Sequence, residues 1–76
     1  MKEIYDKLAE ILEVETVAPG DVLREFGAWD SLAALSIIAM MESTYGVQAT
    51  AQDLKTIQTA GELERFIVDR KSGGRG

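Results

Sequence analysis

Apolar positions change rhythm several times along the 76 residues. From Lys2 to Leu12 they fall at Ile4, Leu8 and Ile11, with Tyr5 and Leu12 beside them, which is the spacing of one helix face. From Glu13 to Trp29 that spacing breaks. Val14, Glu15, Thr16 and Val17 are poor helix formers as a run, and Pro19-Gly20-Asp21 is a turn signal. A connection this long in a small domain needs anchors of its own. Val17, Val22, Leu23 and Phe26 are the candidates, with a short helical turn over residues 21–26. A second helix is expected to open at Asp30 or Ser31, either of which is a good N-cap, to run to about Tyr45, and to stop at Gly46. Thr50 with Asp53, and Thr59 with Glu62, have capping-box spacing. The first pair opens a short helix over about Ala51 to Lys55. The second opens a longer one with Leu63, Phe66 and Ile67 on its apolar face. The pattern predicts an all-α fold of three longer helices and one short one, with a long loop between the first two. Residues 1–70 form one domain, and residues 71–76 read as a flexible C-terminal tail, Gly-rich from Ser72 onward.

The second helix is apolar on more sides than a small bundle needs. At about 100° per residue, Ala34, Ile38, Met41 and Tyr45 share one side, flanked by Ile37, and this is the expected core face. Leu32, Ala39 and Met40 then fall away from the core, and Ser36 and Ser43 point outward. Glu42 is the single charged residue from Ser31 to Tyr45. An exposed apolar patch beginning beside Ser31 is therefore expected. Either the loop or the last helix covers it, or it is a docking surface, for which methionine is an adaptable component.

Composition narrows what such a domain can do. Hydrophobic residues at 46% and charged residues at 28% suit a globular protein. The chain has no cysteine and no histidine. It therefore has no disulfide, no thiolate ligand, and neither the commonest general base nor the usual activator of a nucleophile. The longest apolar run, Ile37 to Met41, is far too short to span a bilayer. The N-terminal MKEIYDKLAE lacks the apolar core of a signal peptide, so a cytoplasmic location is expected. The net charge of −5 is concentrated in residues 1–30, which carry eight acids against three bases. Nothing resembles the basic stripe of a nucleic-acid binder, whereas a basic protein partner suits the charge. A monomer is expected.

Ser31 admits three readings from the residues alone: a helix cap, a nucleophile, or a point of attachment. The nucleophile reading is the weakest, because no histidine, neighbouring lysine or glycine-rich elbow accompanies the serine. A phosphodiester on Ser31 would lie at the positive end of the helix dipole. Asp30-Ser31-Leu32 opens a helix that ends in Glu42-Ser-Thr-Tyr-Gly-Val. It follows a loop containing Leu23 and Phe26-Gly27, and Thr59-Ala-Gly-Glu-Leu comes later. This arrangement, over residues 4–69, resembles the acyl carrier proteins.

The resemblance implies a four-helix acyl-carrier-type bundle that is not an enzyme. It implies 4′-phosphopantetheine joined covalently to Ser31, with Asp30 and Leu32 completing the attachment motif. A phosphopantetheinyl transferase would install the group from coenzyme A with Mg²⁺. An acyl-loading ligase or synthase and downstream acyl-using enzymes would be the further partners, with cargo carried as thioesters. The family's use of the second helix for recognition assigns docking to Leu32, Ser36, Ala39, Met40 and Glu42. An aminoacyl or peptidyl carrier shares this chemistry, and an unmodified helical interaction domain, with Ser31 as a plain cap, is the remaining alternative. The sequence departs from fatty-acid-type carriers where Ala33, Ser36, Ser43 and Thr44 replace acids, and where Trp29 precedes Asp30 in a loop one residue longer than the commonest form. These departures favour a specialised stand-alone carrier of short acyl, hydroxyacyl or aminoacyl groups. Trp29 either plugs the loop or packs beside the arm.

Overall fold

Each change of apolar rhythm becomes a helix boundary. A computed structural model describes residues 2–73, with side chains for residues 3–71. It contains α1 (Lys2–Leu12), a 3-10 turn (Leu23–Glu25), α2 (Ser31–Tyr45), α3 (Ala51–Thr56) and α4 (Ala60–Gly73). The fold is an all-helical bundle of the acyl-carrier type, and no strand occurs among the described residues. No helix among them is long and apolar enough to cross a membrane.

The termini follow the local chemistry. Asp30 Oδ1 accepts from the Ala33 N–H at 2.8 Å and caps α2. At the other end Gly46 takes a left-handed φ of 68°, and the Gly46 and Val47 N–H groups close on the Glu42 and Met41 carbonyls. Thr50 and Asp53 form the reciprocal capping box at α3. At α4 the Glu62 N–H donates to Thr59 Oγ1, but the Glu62 carboxylate reaches the Gln58 N–H rather than that of Thr59. α1 ends differently, because no glycine follows it. Glu13 itself adopts a left-handed φ of 60°, and the Val14 N–H returns to the Ala9 carbonyl at 2.9 Å.

α4 continues through Gly73, past the boundary at 70 that composition suggested. Arg70 and Lys71 are good helix formers and are favourable at the negative end of the dipole. Their cations also lie over rings, Arg70 over Phe66 at 4.5 Å and Lys71 over Tyr45 at 5.6 Å. The rest of the tail, residues 74–76, lies outside the described residues.

The core forms where α1, α2 and α4 meet. Ile4, Leu8 and Leu12 of α1, Ile37 and Met41 of α2, and Leu63 and Ile67 of α4 are fully buried. Each such side chain contributes roughly 1.5–3 kcal/mol of hydrophobic stabilisation. Ile11 and Phe66 lie at the edge of the core, half-buried.

Residues 13–30 are held against this core by backbone hydrogen bonds. Val22 and Thr59 form an isolated antiparallel bridge, in which the Leu23 N–H donates to the Gln58 carbonyl and the Ala60 N–H to the Asp21 carbonyl. The Gly61 N–H donates to the Pro19 carbonyl at 2.8 Å. That approach needs glycine, since a Cβ at position 61 would lie 3.1 Å from the Pro19 oxygen. Val17 and Leu23 are the buried anchors of the loop, whereas Val22 and Phe26 are half-buried.

Two stability experiments follow from these contacts. Left-handed φ at a non-glycine residue costs on the order of 1 kcal/mol, part of which glycine loses again in chain entropy. Glu13→Gly is therefore expected to raise stability by about 0.5 kcal/mol, read as a higher midpoint in urea with an unchanged slope. At the α1–α4 contact, the Tyr5 hydroxyl donates to Glu64. Burial, reinforced by that carboxylate, pushes the Tyr5 phenol up from 10 to about 12. The neutral phenol is thus favoured in the folded state. Its contribution is complete below pH 10 and is lost as pH rises towards 12. Urea unfolding at pH 9 and pH 11 should show a fall in stability that is smaller in Tyr5→Phe.

Candidate functional site

The site is built at the α2 N-terminus, and the local hydrogen bonding divides the work between two neighbouring residues. Asp30 has extended backbone and its carboxylate is the cap. Ser31 is therefore the first residue of the helix, exposed, and its hydroxyl makes no hydrogen bond among the described residues. Had Ser31 been the cap, its oxygen would point back into the helix end and be engaged by a backbone N–H. As it stands, an accessible hydroxyl is presented at the positive end of a 15-residue helix.

Beside the serine lies an open groove of about 370 Å³ between α2 and α3. Trp29, Asp30, Ser31 and Ala34 form one wall, and Ala51, Leu54 and Lys55 of α3 form the other. Arg24, from the 3-10 turn, completes it. The Arg24 guanidinium donates to the carbonyls of Leu54 and Lys55 at 3.0 Å each and to that of Ile57 at 3.2 Å. These include carbonyls that the C-terminus of α3 leaves without helical partners. Arg24 thus fixes α3 to the loop that delivers Trp29 and Asp30. Among the described residues, no cluster of three or more His, Cys, Asp or Glu side chains is positioned to hold a metal ion.

Along α2, the expected docking residues separate. Leu32 is 71% exposed, and Ser36, Ala39 and Glu42 are exposed with it. Met40 is not part of that surface. It is only 8% exposed and packs in the core with Ala33, Ile37 and Met41. The core face is turned by about one residue from the expected one, leaving Ala34, Ile38 and Tyr45 half-buried. Leu35, outside the expected docking set, is 58% exposed and stands one turn beyond Leu32. Its spacing from Leu32 was the available signal. Lys55 and Arg24 also went unassigned, because they join the site from elements distant in sequence.

The phosphopantetheine attachment site family model matches residues 2–67, and the chain belongs to that family. It is a carrier domain of the acyl-carrier type, the site of covalent 4′-phosphopantetheine attachment, and proteins of this kind are carriers rather than catalysts. No solved structure matches the chain at a significant level.

Charge-assisted hydrogen bonds from Arg24 to α3 should be individually worth more than neutral ones, although they are partly solvated. Arg24→Ala is expected to cost about 1–3 kcal/mol in urea unfolding. Arg24→Lys should recover less than half of that loss, because an ammonium cannot span three carbonyls as the planar guanidinium does.

Proposed function

We propose that Ser31 is the attachment residue, that Asp30 and Leu32 complete its motif, and that the protein carries acyl or related groups as thioesters on the arm. The observation that carries this reading is the division between cap and hydroxyl. Asp30 satisfies the helix end, which leaves Ser31 exposed and free to be modified. In the transfer from coenzyme A, the Ser31 oxygen forms a bond to the phosphorus that bears pantetheine. The diphosphate link breaks, adenosine bisphosphate leaves, and the hydroxyl proton passes to a base on the transferase with its Mg²⁺. The chain has no histidine for that role, and the carboxylate beside the serine, Asp30, is engaged as the helix cap. The imported thiol likewise supplies what a cysteine-free chain lacks.

The group fits what surrounds Ser31. Its phosphodiester would lie at the positive end of α2, and the groove alongside offers two cations against the single carboxylate of Asp30. Presentation to a loading ligase or synthase and to downstream acyl-using enzymes falls to the exposed side of α2, formed by Leu32, Leu35, Ser36, Ala39 and Glu42. With Glu42 as its single charge, this face suits partners that dock by apolar contact around one ionic anchor. That favours a specialised carrier over one read chiefly through an acidic helix. The same uncharged face supports an aminoacyl or peptidyl carrier as the second reading.

Incubation with coenzyme A, Mg²⁺ and a broad-specificity transferase, followed by intact mass measurement, tests the assignment. One phosphopantetheine increment is expected in the wild type and none in Ser31→Ala. An increment that persists in Ser31→Ala, or no increment with several transferases, refutes it.

A further inference from the structure

α2 carries Glu42 as its single charge, whereas α1 carries Glu3, Asp6 and Glu10, all exposed. The two helices part along an open groove of about 370 Å³. Lys7, Glu10 and Ile11 wall it on the α1 side, and Ser36, Ala39 and Ser43 on the α2 side. A further opening of about 290 Å³ adds Glu3 and Asp6. Both openings include Lys7, Glu10 and Thr44, so they are continuous. Lys7 is the one cation there against three carboxylates. None of the three carboxylates makes a hydrogen bond or ion pair among the described residues. Apolar lining comes from buried Met40, half-buried Ile11 and exposed Ala39. Ser36, Ala39 and Ser43 are small and recur at helical spacing, so α2 presents a low ridge that another backbone can approach closely. From Ser36 to Thr44 the helix rises ~12 Å, about two turns of a third helix laid alongside.

We propose that the α1–α2 groove docks a basic amphipathic helix of a partner protein. The apolar side of that helix lies against Ile11, Ala39 and Met40, and its Lys or Arg side chains reach the Glu3, Asp6 and Glu10 carboxylates. This inference rests on the carrier reading and extends the docking role of α2, with α1 supplying the ionic half of recognition. Charge selects the occupant. A second copy of the chain would set acid against acid, and a nucleic acid or an anionic membrane would bring further negative charge. The small residues of α2 select the shape, since a seated helix needs close approach over two turns. Exposed ion pairs contribute little individually, so these act chiefly on encounter rate and choice of partner, and salt weakens them. Ser31 does not line this groove, so docking there and attachment at the serine are separable.

Two synthetic peptides of about 15 residues, near the length at which a helix holds in isolation, serve as probes. They share their Leu and Ala positions and carry either Lys or Glu on the polar face. Each is titrated into isotope-labelled protein that has been loaded with coenzyme A, Mg²⁺ and a transferase and checked by mass. With the Lys peptide, saturable amide shifts are expected over residues 7–11 and 36–44. The Glu peptide should bind several-fold more weakly. Asp6→Lys with Glu10→Lys should weaken the Lys peptide on the order of tenfold at low salt. Glu15→Lys with Glu25→Lys makes the same change in net charge away from the groove and should leave binding nearly unchanged. Ala39→Glu separates shape from charge, because it adds an acid while filling the groove. Weaker binding is expected, and tighter binding overturns the seated helix in favour of plain attraction. Every substituted position is exposed, so the fold should hold, which amide shifts away from the groove verify. Absence of saturable shifts, shifts confined to Leu32 and Leu35, equal binding of both peptides, or equal effects of the two charge pairs overturns the proposal. So does self-association through the groove residues, read by sedimentation velocity. With loading at Ser31 normal, each of these outcomes leaves the attachment reading standing. Failure to load overturns the carrier reading and the role of the groove with it.

Discussion

The site depends on how residues 13–30 are held. A segment of this length has no helix of its own beyond the 3-10 turn, so its backbone groups must find partners elsewhere. They find them at the junction of α3 and α4. The Val22–Thr59 bridge and the Gly61–Pro19 contact fix the backbone, and the Arg24 guanidinium ties the 3-10 turn to the end of α3. The same segment ends at Trp29 and Asp30. Its anchoring therefore decides where α2 begins and how far Ser31 stands from α3. Without those hydrogen bonds the three-helix core could still bury Ile4, Leu8, Ile37 and Leu63, but Ser31 and the groove beside it would have no fixed relation.

The chain belongs to a family of carriers, and the two residues that open α2 divide their work. One residue closes the helix end and its neighbour offers a hydroxyl. The exposed side of α2 is an apolar strip, while the acids lie mostly on α1 and the loop. Buried polarity is kept to the far end of the bundle, where Tyr5 meets Glu64. There the Tyr45 hydroxyl is buried with no partner among the described residues, and its phenol too is raised by burial and by the nearby Glu3 and Glu64. The Tyr5–Glu64 hydrogen bond joins α1 to α4.

Much of this was legible in the residues because it is local. The α1 period, the Gly46 stop, and the caps at Thr50 and Thr59 each depend on side chains within four positions of the groups they satisfy. The Asp30-Ser31-Leu32 motif was legible for the same reason, although the residues alone left open which of Asp30 and Ser31 would cap. The extent of α4 beyond residue 70 was less so, because Lys71 is held by the Tyr45 ring of another helix. The groove was not legible at all, since Arg24, Trp29 and Lys55 come from three separate elements.

What the sequence determined by itself was the set of helices, their ends, and the serine that opens the second. What only the tertiary structure decided was the rotation of α2. From Leu32 to Met41 the helix carries apolar residues on nearly every side, so no stripe marks which side is core. The choice falls to the neighbours. The surrounding core accepts Ala33, Ile37, Met40 and Met41, and Leu32 and Leu35 are left to solvent. A strongly amphipathic helix specifies its own orientation. One that is apolar all round takes its orientation from what it packs against.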